Sequence, residues 1–372
     1  MPNKLKICSP QLGLSNKSTL GGEVFDREVL LGLARRGVET TIILPKGKAH
    51  DKGIKNWHIY YLPITHFPAI AANLLYLPPL FKTYQEKKFN ILRIHQPQFL
   101  GLCASLFKFF KRDVKLVATI HQFRETEMPF ASKFFNNLWD HIICDSENVK
   151  NLIIKTYNVE KNKITVVHNG TPRYLKPTEK GKKLLKKLNL ENKFVLMYMG
   201  FFNERKNPLF LLKVLSEIKK TNKNVALVYW GEGPLKSEIK KRAISLNLSS
   251  DIRFITPKFG PEKNKFHNLA DVFVHPSLDE GFALAPLEAM ACAKPVIMNN
   301  SHSAREAIDN GINGFICEQS DVDAWCRALI KILGDKKLAN KMGKEAYQKR
   351  LKEFNWKKTI NAHERVFNRL LI

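Results

Sequence analysis

Two carboxylates placed eight residues apart bracket a glycine-containing loop in the second half of the chain. Glu280 stands directly before Gly281, and Glu288 follows within a predicted helix whose first turn holds Pro286. Apolar runs on either side predict short buried strands, so the local order is strand, loop, helix and strand. A helix that begins after such a loop aims backbone N–H groups and the positive end of its dipole at a ligand above the loop, which favours phosphate.

The two acids favour a second kind of contact. Carboxylate oxygens accept hydrogen bonds from the vicinal hydroxyls of a sugar, whereas they are poor ligands for phosphate. A ligand with a sugar, a phosphate and a second sugar in a row would suit this loop, and a nucleotide sugar has that order. The plainer alternative is that Glu288 only stabilises the helix dipole and that Glu280 is a solvated loop acid.

The wider segment resembles a known signature. Glu280-Gly281-Phe282-Ala283-Leu284, followed by Glu288, is similar to the Glu-x7-Glu signature of retaining glycosyltransferases of family four, and the flanks at 276–277 and 289–296 match as well. The resemblance covers nearly the whole chain and implies the GT-B fold, an α/β architecture of two facing Rossmann-like, doubly wound domains with an interdomain cleft. It implies a nucleoside-diphosphate sugar as donor. The implied contacts are sugar hydroxyls on Glu280, the ribose on Glu288, and the sugar and phosphate above the amides of Gly281, Phe282, Ala283 and Leu284.

A second loop, after the predicted strand that ends at Gly200, carries Arg205 and Lys206. In the family this loop holds an arginine just after the glycine and a lysine several residues later, and both bind the donor diphosphate. Lys206 stands at the lysine position, whereas Phe201 stands at the arginine position. The resemblance therefore implies that Lys206 binds the diphosphate, with Arg205 supplying the missing guanidinium. The alternative is a solvated pair of cations before a helix.

The first half of the chain repeats the order of strand, glycines and helix, with Gly22 ahead of a predicted helix from Val24 to Arg36. His95 and His121 each end a predicted strand, and the ends of parallel strands face the ligand crevice of an open sheet. The resemblance implies that Gly22 approaches the phosphates and that His121 contacts the donor sugar near its anomeric carbon. The family's paired His-x-His is Arg93-Ile94-His95 here. A structural role is the alternative for either histidine alone.

The resemblance makes His121, Lys206 and Glu280 the predicted catalytic residues. Breaking the anomeric C–O bond develops positive charge on the sugar and negative charge on the diphosphate, and fixed cations and amides stabilise that separation. In the family a donor phosphate oxygen takes the acceptor proton on the same face of the sugar, so we predict no protein nucleophile. No Asp-x-Asp occurs at the proposed site, and we expect neither a metal nor a cofactor besides the donor substrate.

The length of 372 residues suits two domains, and 44% hydrophobic residues can fill two cores. We predict a first, acceptor-side domain at 1–172 and a nucleotide-sugar-binding domain at 173–354. A terminal helix at 355–372 is expected to pack back onto the first domain. The six cysteines show no metal-binding spacing, and their apolar surroundings predict buried, reduced thiols.

The net charge of +27 favours polyanions, which include nucleic acid, anionic membranes and phosphorylated ligands. Because the sequence holds no recognised nucleic-acid motif, we predict no nucleic-acid partner, and a basic nucleic-acid-binding protein is the rival from another class. A nearer rival is a GT-B enzyme that is not a transferase, such as a nucleotide-sugar epimerase or a phosphorylase.

Two segments combine aromatic residues with lysines. Phe67–Phe81 is apolar and holds three prolines that argue against one continuous helix, and Leu106–Arg112 mixes phenylalanines with basic residues. Both suit peripheral contact with an anionic membrane, where rings enter the interface and cations meet headgroups. The expected acceptor is a glycan or a lipid-linked molecule. With no signal peptide and no apolar run of about 20 residues, we expect a cytoplasmic protein, peripheral at the membrane face.

Overall fold

Short apolar runs that alternate with amphipathic segments produce two parallel sheets, each flanked by helices. A computed structural model describes residues 4–18, 21–64, 74–121 and 137–372. The chain divides into two compact units, Met1–Gly170 with Trp356–Ile372, and Thr171–Asn355. Runs such as Ile91–His95 and Val225–Trp230 are apolar throughout because a parallel sheet with helices on both faces buries both sides of its strands.

The first unit has a seven-stranded parallel sheet in the order β3-β2-β1-β4-β5-β6-β7. Its strands are β1 (Lys6–Pro10), β2 (Glu39–Pro45), β3 (Trp57–Leu62), β4 (Ile91–His95), β5 (Lys115–Ile120), β6 (His141–Cys144) and β7 (Ile164–Val166). The described helices of this unit are Gly21–Arg35, Leu77–Lys87, Pro97–Phe110, Glu147–Tyr157 and Trp356–Leu370, with a 3-10 turn at Lys161–Lys163.

The second unit has a six-stranded parallel sheet in the order β10-β9-β8-β11-β12-β13. Its strands are β8 (Phe194–Met199), β9 (Val225–Trp230), β10 (Ile252–Ile255), β11 (Val272–His275), β12 (Val296–Asn299) and β13 (Gly314–Cys317). Its helices are Lys182–Lys187, Phe210–Thr221, Lys236–Ser245, Lys263–His267, Leu284–Ala291, His302–Ala307, Val322–Gly334 and Lys336–Glu353, with 3-10 turns at Glu204–Lys206, Ser249–Asp251 and Gly260–Glu262.

The strand order reverses once in each sheet. In the first unit β1 lies between β2 and β4, and in the second unit β8 lies between β9 and β11. Connections leave the sheet in opposite directions at such a point, so a crevice opens outside the carboxyl ends of the two central strands. The two sheets therefore each offer one position for a ligand, after β1 and β4 and after β8 and β11.

The terminal helix Trp356–Leu370 belongs to the first unit and packs on the helix Gly21–Arg35. Its buried side chains recur at helical spacing, which forms one apolar face. Gly32 makes the close approach possible, because an added Cβ there would lie 2.1 Å from Ile360 Cδ1. The buried face consists of Trp356, Thr359, Ile360, His363, Val366 and Phe367.

Two element boundaries differ from the sequence expectation. The first helix begins at Gly21, so the glycine pair forms its first turn and not a preceding loop. Glu23 explains the early start, because its carboxylate accepts from the Ser15 N–H at 2.6 Å and the Ser18 hydroxyl at 2.5 Å and so anchors the incoming chain. Within Phe67–Phe81, residues 67–73 lie outside the described residues, and the helix that follows begins at Leu77 with prolines in its first turn.

All six cysteines are free and buried, as the sequence predicted. Along the described ranges, the helices are all too short or too polar to cross a bilayer.

Candidate active site

Arg205 and Lys206 both point at the Glu280 carboxylate. Arg205 Nη1 donates to Glu280 Oε2 at 3.0 Å and to the Asp279 carbonyl at 2.9 Å. Lys206 Nζ donates to Glu280 Oε1. Two adjacent side chains thus converge on one place at the carboxyl ends of β8 and β11, while Phe201 is half exposed to solvent.

Local hydrogen bonds explain why adjacent residues can point the same way. Asn203 caps the 3-10 turn Glu204–Lys206 and accepts from the Lys206 N–H at 3.0 Å. The loop after β11 docks on the same turn, because the Arg205 carbonyl accepts from the Leu278 N–H at 2.8 Å and from the Ser277 hydroxyl at 3.1 Å. The two loops therefore form one surface, and the tight 3-10 turn presents both cations on it.

Glu280 is surrounded by donors. Besides the two cations it accepts from Ser277 Oγ at 2.7 Å, and His275 Nε2 lies 3.5 Å away. Burial alone would raise the pKa of Glu280, but Lys206, His275 and Arg205 hold that pKa well below its usual range. Burial lowers the pKa of His275, so this ring is neutral at pH 7. Glu280 is therefore an ionised acid that occupies the two cations in the absence of another anion.

The second acid is buried in a different set of partners. Glu288 accepts from Lys263 Nζ at 2.7 Å, and His267 Nε2 lies 3.4 Å from its other oxygen. Burial would raise the pKa of Glu288, but Lys263 and His267 lower it to about 2. Lys263 also lies over the Trp230 ring, 5.3 Å from its centroid. A charged acceptor whose lysine partner lies over an indole is an arrangement that suits a ribose and its base.

The loop between the two acids ends at a helix N-terminus. The helix Leu284–Ala291 begins two residues before Pro286, so Pro286 lies in its first turn, as the sequence predicted, and Glu288 lies just beyond that turn. Ala283 occupies the N-cap position and has no side-chain acceptor for the first helical N–H groups. The amides of Gly281, Phe282, Ala283 and Leu284 thus stand at a helix end that favours an anion, and they directly follow Glu280, which Arg205 and Lys206 contact.

In the first unit, five ionisable side chains meet at the carboxyl ends of β4, β5 and β6. Arg93 donates to Asp26 Oδ1, and His95 Nδ1 lies 2.5 Å from Asp26 Oδ2. His121 lies between two carboxylates, with Nε2 3.7 Å from Asp26 Oδ1 and Nδ1 3.5 Å from Asp145 Oδ2. Asp26, Arg93 and Asp145 are buried, and sequence analysis had singled out only the two histidines as candidate ligand contacts.

Gly22 lies against both imidazoles. An added Cβ would stand 2.9 Å from His95 Cε1 and 3.6 Å from His121 Cδ2. A side chain at residue 22 would therefore displace the His95 ring, whereas it would make an ordinary contact with His121. This contact gives Gly22 a place in the site, and its predicted approach to phosphate remains a prediction.

Asp26, His95 and His121 offer one ligand atom each, all within 4.8 Å of one another, and they are the group in the described ranges that could hold a metal ion. The Arg93 guanidinium already binds the same Asp26 carboxylate, and His95 Nδ1 lies close to the other oxygen of that carboxylate. A divalent cation would have to displace a buried positive charge. We therefore describe the group as a buried charge network and assign no metal to it.

Sequence reasoning missed the partners that orient the predicted residues. His275 and Ser277 flank the predicted loop and could have been found by their position at the end of a strand. Lys263 stands in a lysine-rich segment where nothing distinguishes it from surface lysines. Asp26 lies inside a helix, and its partner Arg93 is 67 residues away in the chain, so no local pattern pairs them.

Comparison with known proteins covers both units. The family described as Glycosyl transferases group 1 matches residues 180–349, and the family described as Glycosyltransferase Family 4 matches residues 20–173. Together these two matches span most of the chain.

One relative is the UDP-Gal:alpha-D-GlcNAc-diphosphoundecaprenol alpha-1,3-galactosyltransferase of Escherichia coli, 28% identical over 323 residues that make up 79% of each chain. Two solved structures share the fold. Sucrose-phosphate synthase from Thermosynechococcus elongatus superposes with a TM-score of 0.82 at 18% identity over 98% of this chain and 99% of that chain. Anabaena Alr3699/HepE in complex with UDP and glucose superposes with a TM-score of 0.80 at 18% identity over 97% and 99%.

Proposed function

We propose that Arg205 and Lys206 bind the donor diphosphate. The premise is that this chain belongs to the GT-B glycosyltransferases of family four and transfers a sugar from a nucleotide-sugar donor. The observation that carries the proposal is the convergence of both side chains on the Glu280 carboxylate. A place where two cations already hold one anion, beside a helix N-terminus, is suited to a second anion with more oxygens. Arg205 then supplies the guanidinium that the family places at position 201.

The other donor contacts follow from the same surface. Glu280 accepts from hydroxyls of the transferred sugar, Glu288 accepts from the ribose hydroxyls, and the amides of Gly281–Leu284 lie under the sugar and phosphate. The bond between the anomeric carbon and the diphosphate oxygen breaks, and a bond from that carbon to the acceptor oxygen forms. The acceptor proton moves to a phosphate oxygen of the departing nucleoside diphosphate. Lys206 and Arg205 stabilise the charge that develops on this leaving group. The acceptor oxygen bonds to the same face of the anomeric carbon that the diphosphate leaves, so the configuration is retained without a protein nucleophile.

Nucleotide release from a panel of UDP-, GDP- and ADP-sugars tests this proposal. Release from one donor should fall by about 100-fold or more in Lys206→Met and by about tenfold or more in Arg205→Met, because each removes a charge from the leaving-group site. Lys236→Met is the matched control, since it removes a lysine paired with Glu232 on the surface. Native rates in Arg205→Met would show that position 205 does not replace the arginine absent at 201.

We further infer that the acceptor is presented at an anionic membrane, as a lipid-linked or cell-envelope glycan. The E. coli relative acts on a diphosphoundecaprenol substrate by its name. The supporting surface, here called the aromatic–basic surface, joins the helices Leu77–Lys87 and Pro97–Phe110, and it consists of Phe81, Tyr84, Gln85, Lys88, Phe109, Phe110, Lys111 and Arg112.

The aromatic–basic surface combines exposed rings with cations. Phe109 is 57% exposed and Phe110 is 63% exposed, next to Lys111 and Arg112. Lys88 and Lys111 both lie 5.2 Å from the centroid of the Tyr84 ring. Rings of this kind enter the interfacial region of a bilayer, and the ammonium groups meet anionic headgroups.

Sedimentation with vesicles tests the membrane proposal. The protein should bind vesicles that contain phosphatidylglycerol and not those of phosphatidylcholine alone, and Phe109→Ser with Phe110→Ser should reduce binding about tenfold or more. Ile244→Ser removes an exposed apolar side chain in the other unit and should bind as the native protein does. Equal binding by the double variant would overturn the assignment of this surface. Salt-sensitive binding to an RNA or DNA duplex in its place would favour the nucleic-acid alternative.

A further inference from the structure

His121 stands between two buried acids that no motif identifies. Its Nδ1 faces Asp145 Oδ2 at 3.5 Å, and its Nε2 faces Asp26 Oδ1 at 3.7 Å. Asp145 follows directly on β6, and Asp26 lies in the first helix, so the two acids approach the ring from opposite sides of its strand end. Phe25 closes a third side, with its ring centroid 4.3 Å from that of His121 in an edge-to-face contact.

If His121 is neutral, this cluster has a net negative charge, because it holds two carboxylates and one guanidinium. Asp26 is paired with Arg93, and both side chains are almost completely buried. Asp145 is also buried, and its carboxylate lies 3.5 Å from the His121 ring, which affects its pKa more than His168 does. A buried carboxylate without a counterion is costly, so a positive charge on His121 balances the cluster.

We propose that Asp145 is a positioning residue that, together with Asp26, holds His121 as an imidazolium and directs its ring. The imidazolium carries two N–H donors, whereas the neutral ring carries one donor and one acceptor. Nδ1–H is held by Asp145. Nε2–H has no hydrogen-bond partner among the described residues, and it is the donor that remains for a sugar oxygen. This second consequence rests on the proposed function, whereas the charge state of His121 does not.

Ionisable groups on the elements packed around this cluster interact with the His121 ring or with its neighbours. They are Asp26 on the first helix, Arg93 and His95 on β4, Asp145 after β6, His168 after β7 and His363 on the terminal helix. Burial would lower the pKa of His121, but the contacts with Asp145 and Asp26 raise it. Burial lowers the pKa of His95 and that of His363, which falls to about 3, so both of these rings stay neutral.

Asp145 itself is compatible with this charge state at neutral pH. Burial raises its pKa to about 6, and the His121 ring opposes that increase. Between about pH 6 and the pKa of His121, the acid is therefore ionised while the ring is protonated. As the pH rises through the pKa of His121 the ring loses its proton, and Nδ1 or Nε2 ceases to donate.

Nuclear magnetic resonance of the ligand-free protein tests the charge state directly. Ring signals of ¹⁵N-histidine, assigned to His121 by their loss in His121→Gln, should titrate with a pKa above 6.5, and in Asp145→Asn that pKa should fall by about one pH unit or more. Asp140→Asn is the matched control, because Asp140 pairs with Lys108 and should leave His121 unchanged. Titration of His121 below pH 6.5, or at the same pH in Asp145→Asn, would overturn the proposal.

A pH profile of the transfer rate separates positioning from a merely structural role. If the imidazolium is the active form, kcat/KM falls as pH rises through the pKa of His121, and Asp145→Asn moves this limb to lower pH. Asp145→Glu keeps the negative charge and should restore the native limb, which also controls for a folding defect in the amide variant. If Asp145→Asn changes the pKa of His121 but leaves the fall of kcat/KM with pH where it is, the charge state of His121 stands, but the imidazolium is not needed for transfer. If the native protein turns over none of the UDP-, GDP- and ADP-sugars, the proposed function is overturned, whereas the charge state of His121 still stands on the titration.

Discussion

Lys263 Nζ lies 2.5 Å from Glu288 Oε2, so the acid that the sequence assigns to the ribose is already held by a cation in the same unit. The pair is mostly buried, with the Lys263 side chain 18% exposed and that of Glu288 8% exposed. The ammonium group keeps the carboxylate ionised and oriented, and it leaves the other lone pairs of the carboxylate for hydroxyls. Lys263 is thereby a structural partner of Glu288 that no sequence motif marks.

Removing this lysine should destabilise the second unit. Lys263→Met is expected to lower the free energy of unfolding by about 3 kcal/mol, because Glu288 would remain buried without its cation. Adding Glu288→Gln to Lys263→Met should recover most of that loss, since the uncompensated charge is then gone. Chemical denaturation followed by tryptophan fluorescence measures both, and the double-mutant cycle isolates the pair.

Lys236→Met provides the control for that measurement. It breaks the Lys236–Glu232 pair, whose side chains are 31% and 45% exposed, and solvent screening leaves such a pair worth about 1 kcal/mol at most. Equal losses in the two lysine variants would contradict the importance of the buried pair.

Glu280→Gln should separate nucleotide binding from sugar transfer. The Glu280 carboxylate now occupies Arg205 and Lys206, so removing its charge should lower the Kd for the free nucleoside diphosphate by about tenfold. Transfer should nevertheless fall by about 100-fold or more, because the sugar loses an acceptor for its hydroxyls. Calorimetry with UDP, GDP and ADP and the nucleotide-release assay measure the two effects. Asp279→Asn, at the exposed neighbouring acid, is the control and should change neither the Kd nor the transfer rate. Weaker nucleotide binding in Glu280→Gln would show that the Glu280 carboxylate does not compete with the diphosphate.

Gly22→Ala should impair transfer without unfolding the protein. The added Cβ must displace His95, whose Cε1 would lie only 2.9 Å away, and the shift reaches His121. We expect transfer to fall by about tenfold or more, since small displacements of a positioned group are costly, while alanine in a helix offsets part of the packing cost. Activity and thermal unfolding measured together check this. Gly334→Ala is the control, because its added Cβ faces open space at a helix end and activity should be unchanged. Full activity in Gly22→Ala would show that the positions of the His95 and His121 rings do not matter for transfer.

The stability of the first unit should fall with decreasing pH because of His141. Burial, with Arg369 nearby, lowers the pKa of His141 to about 4, below the 6.5 of an unfolded histidine. Its contribution to stability is complete above pH 6.5 and is lost as pH falls toward 4, because only the unfolded chain binds the proton, at a slope of about 1.4 kcal/mol per pH unit. Denaturation at pH 7, 6 and 5 should show a flatter dependence in His141→Gln, by about one proton. A native slope in His141→Gln would contradict the lowered pKa of His141.

Local patterns in the sequence were enough to predict the fold class and the loop with its two acids. Apolar runs, glycines and helix starts depend on neighbours within a few residues, so the order of strand, loop, helix and strand around Glu280 and Glu288 can be read directly. The same is true of the Arg205–Lys206 loop as a place for a phosphate. Element ends were less accurate, as at Gly21, because Glu23 bonds to residues outside the helix.

Only the tertiary structure decided which charges meet. Arg93 and Asp26 are 67 residues apart, Lys263 and Glu288 are 25 apart, and Arg205 and Glu280 are 75 apart. A single sequence carries no signal for such pairs, because nothing in it distinguishes a lysine that will be buried beside an acid from a surface lysine. The sequence alone therefore predicted the family and the parallel sheets, and it singled out the two loops that we propose bind the donor. The packing of helices and loops against strand ends determined that Arg205 and Lys206 both contact Glu280. It also determined that Lys263 pairs with Glu288 and that His121 lies between Asp26 and Asp145.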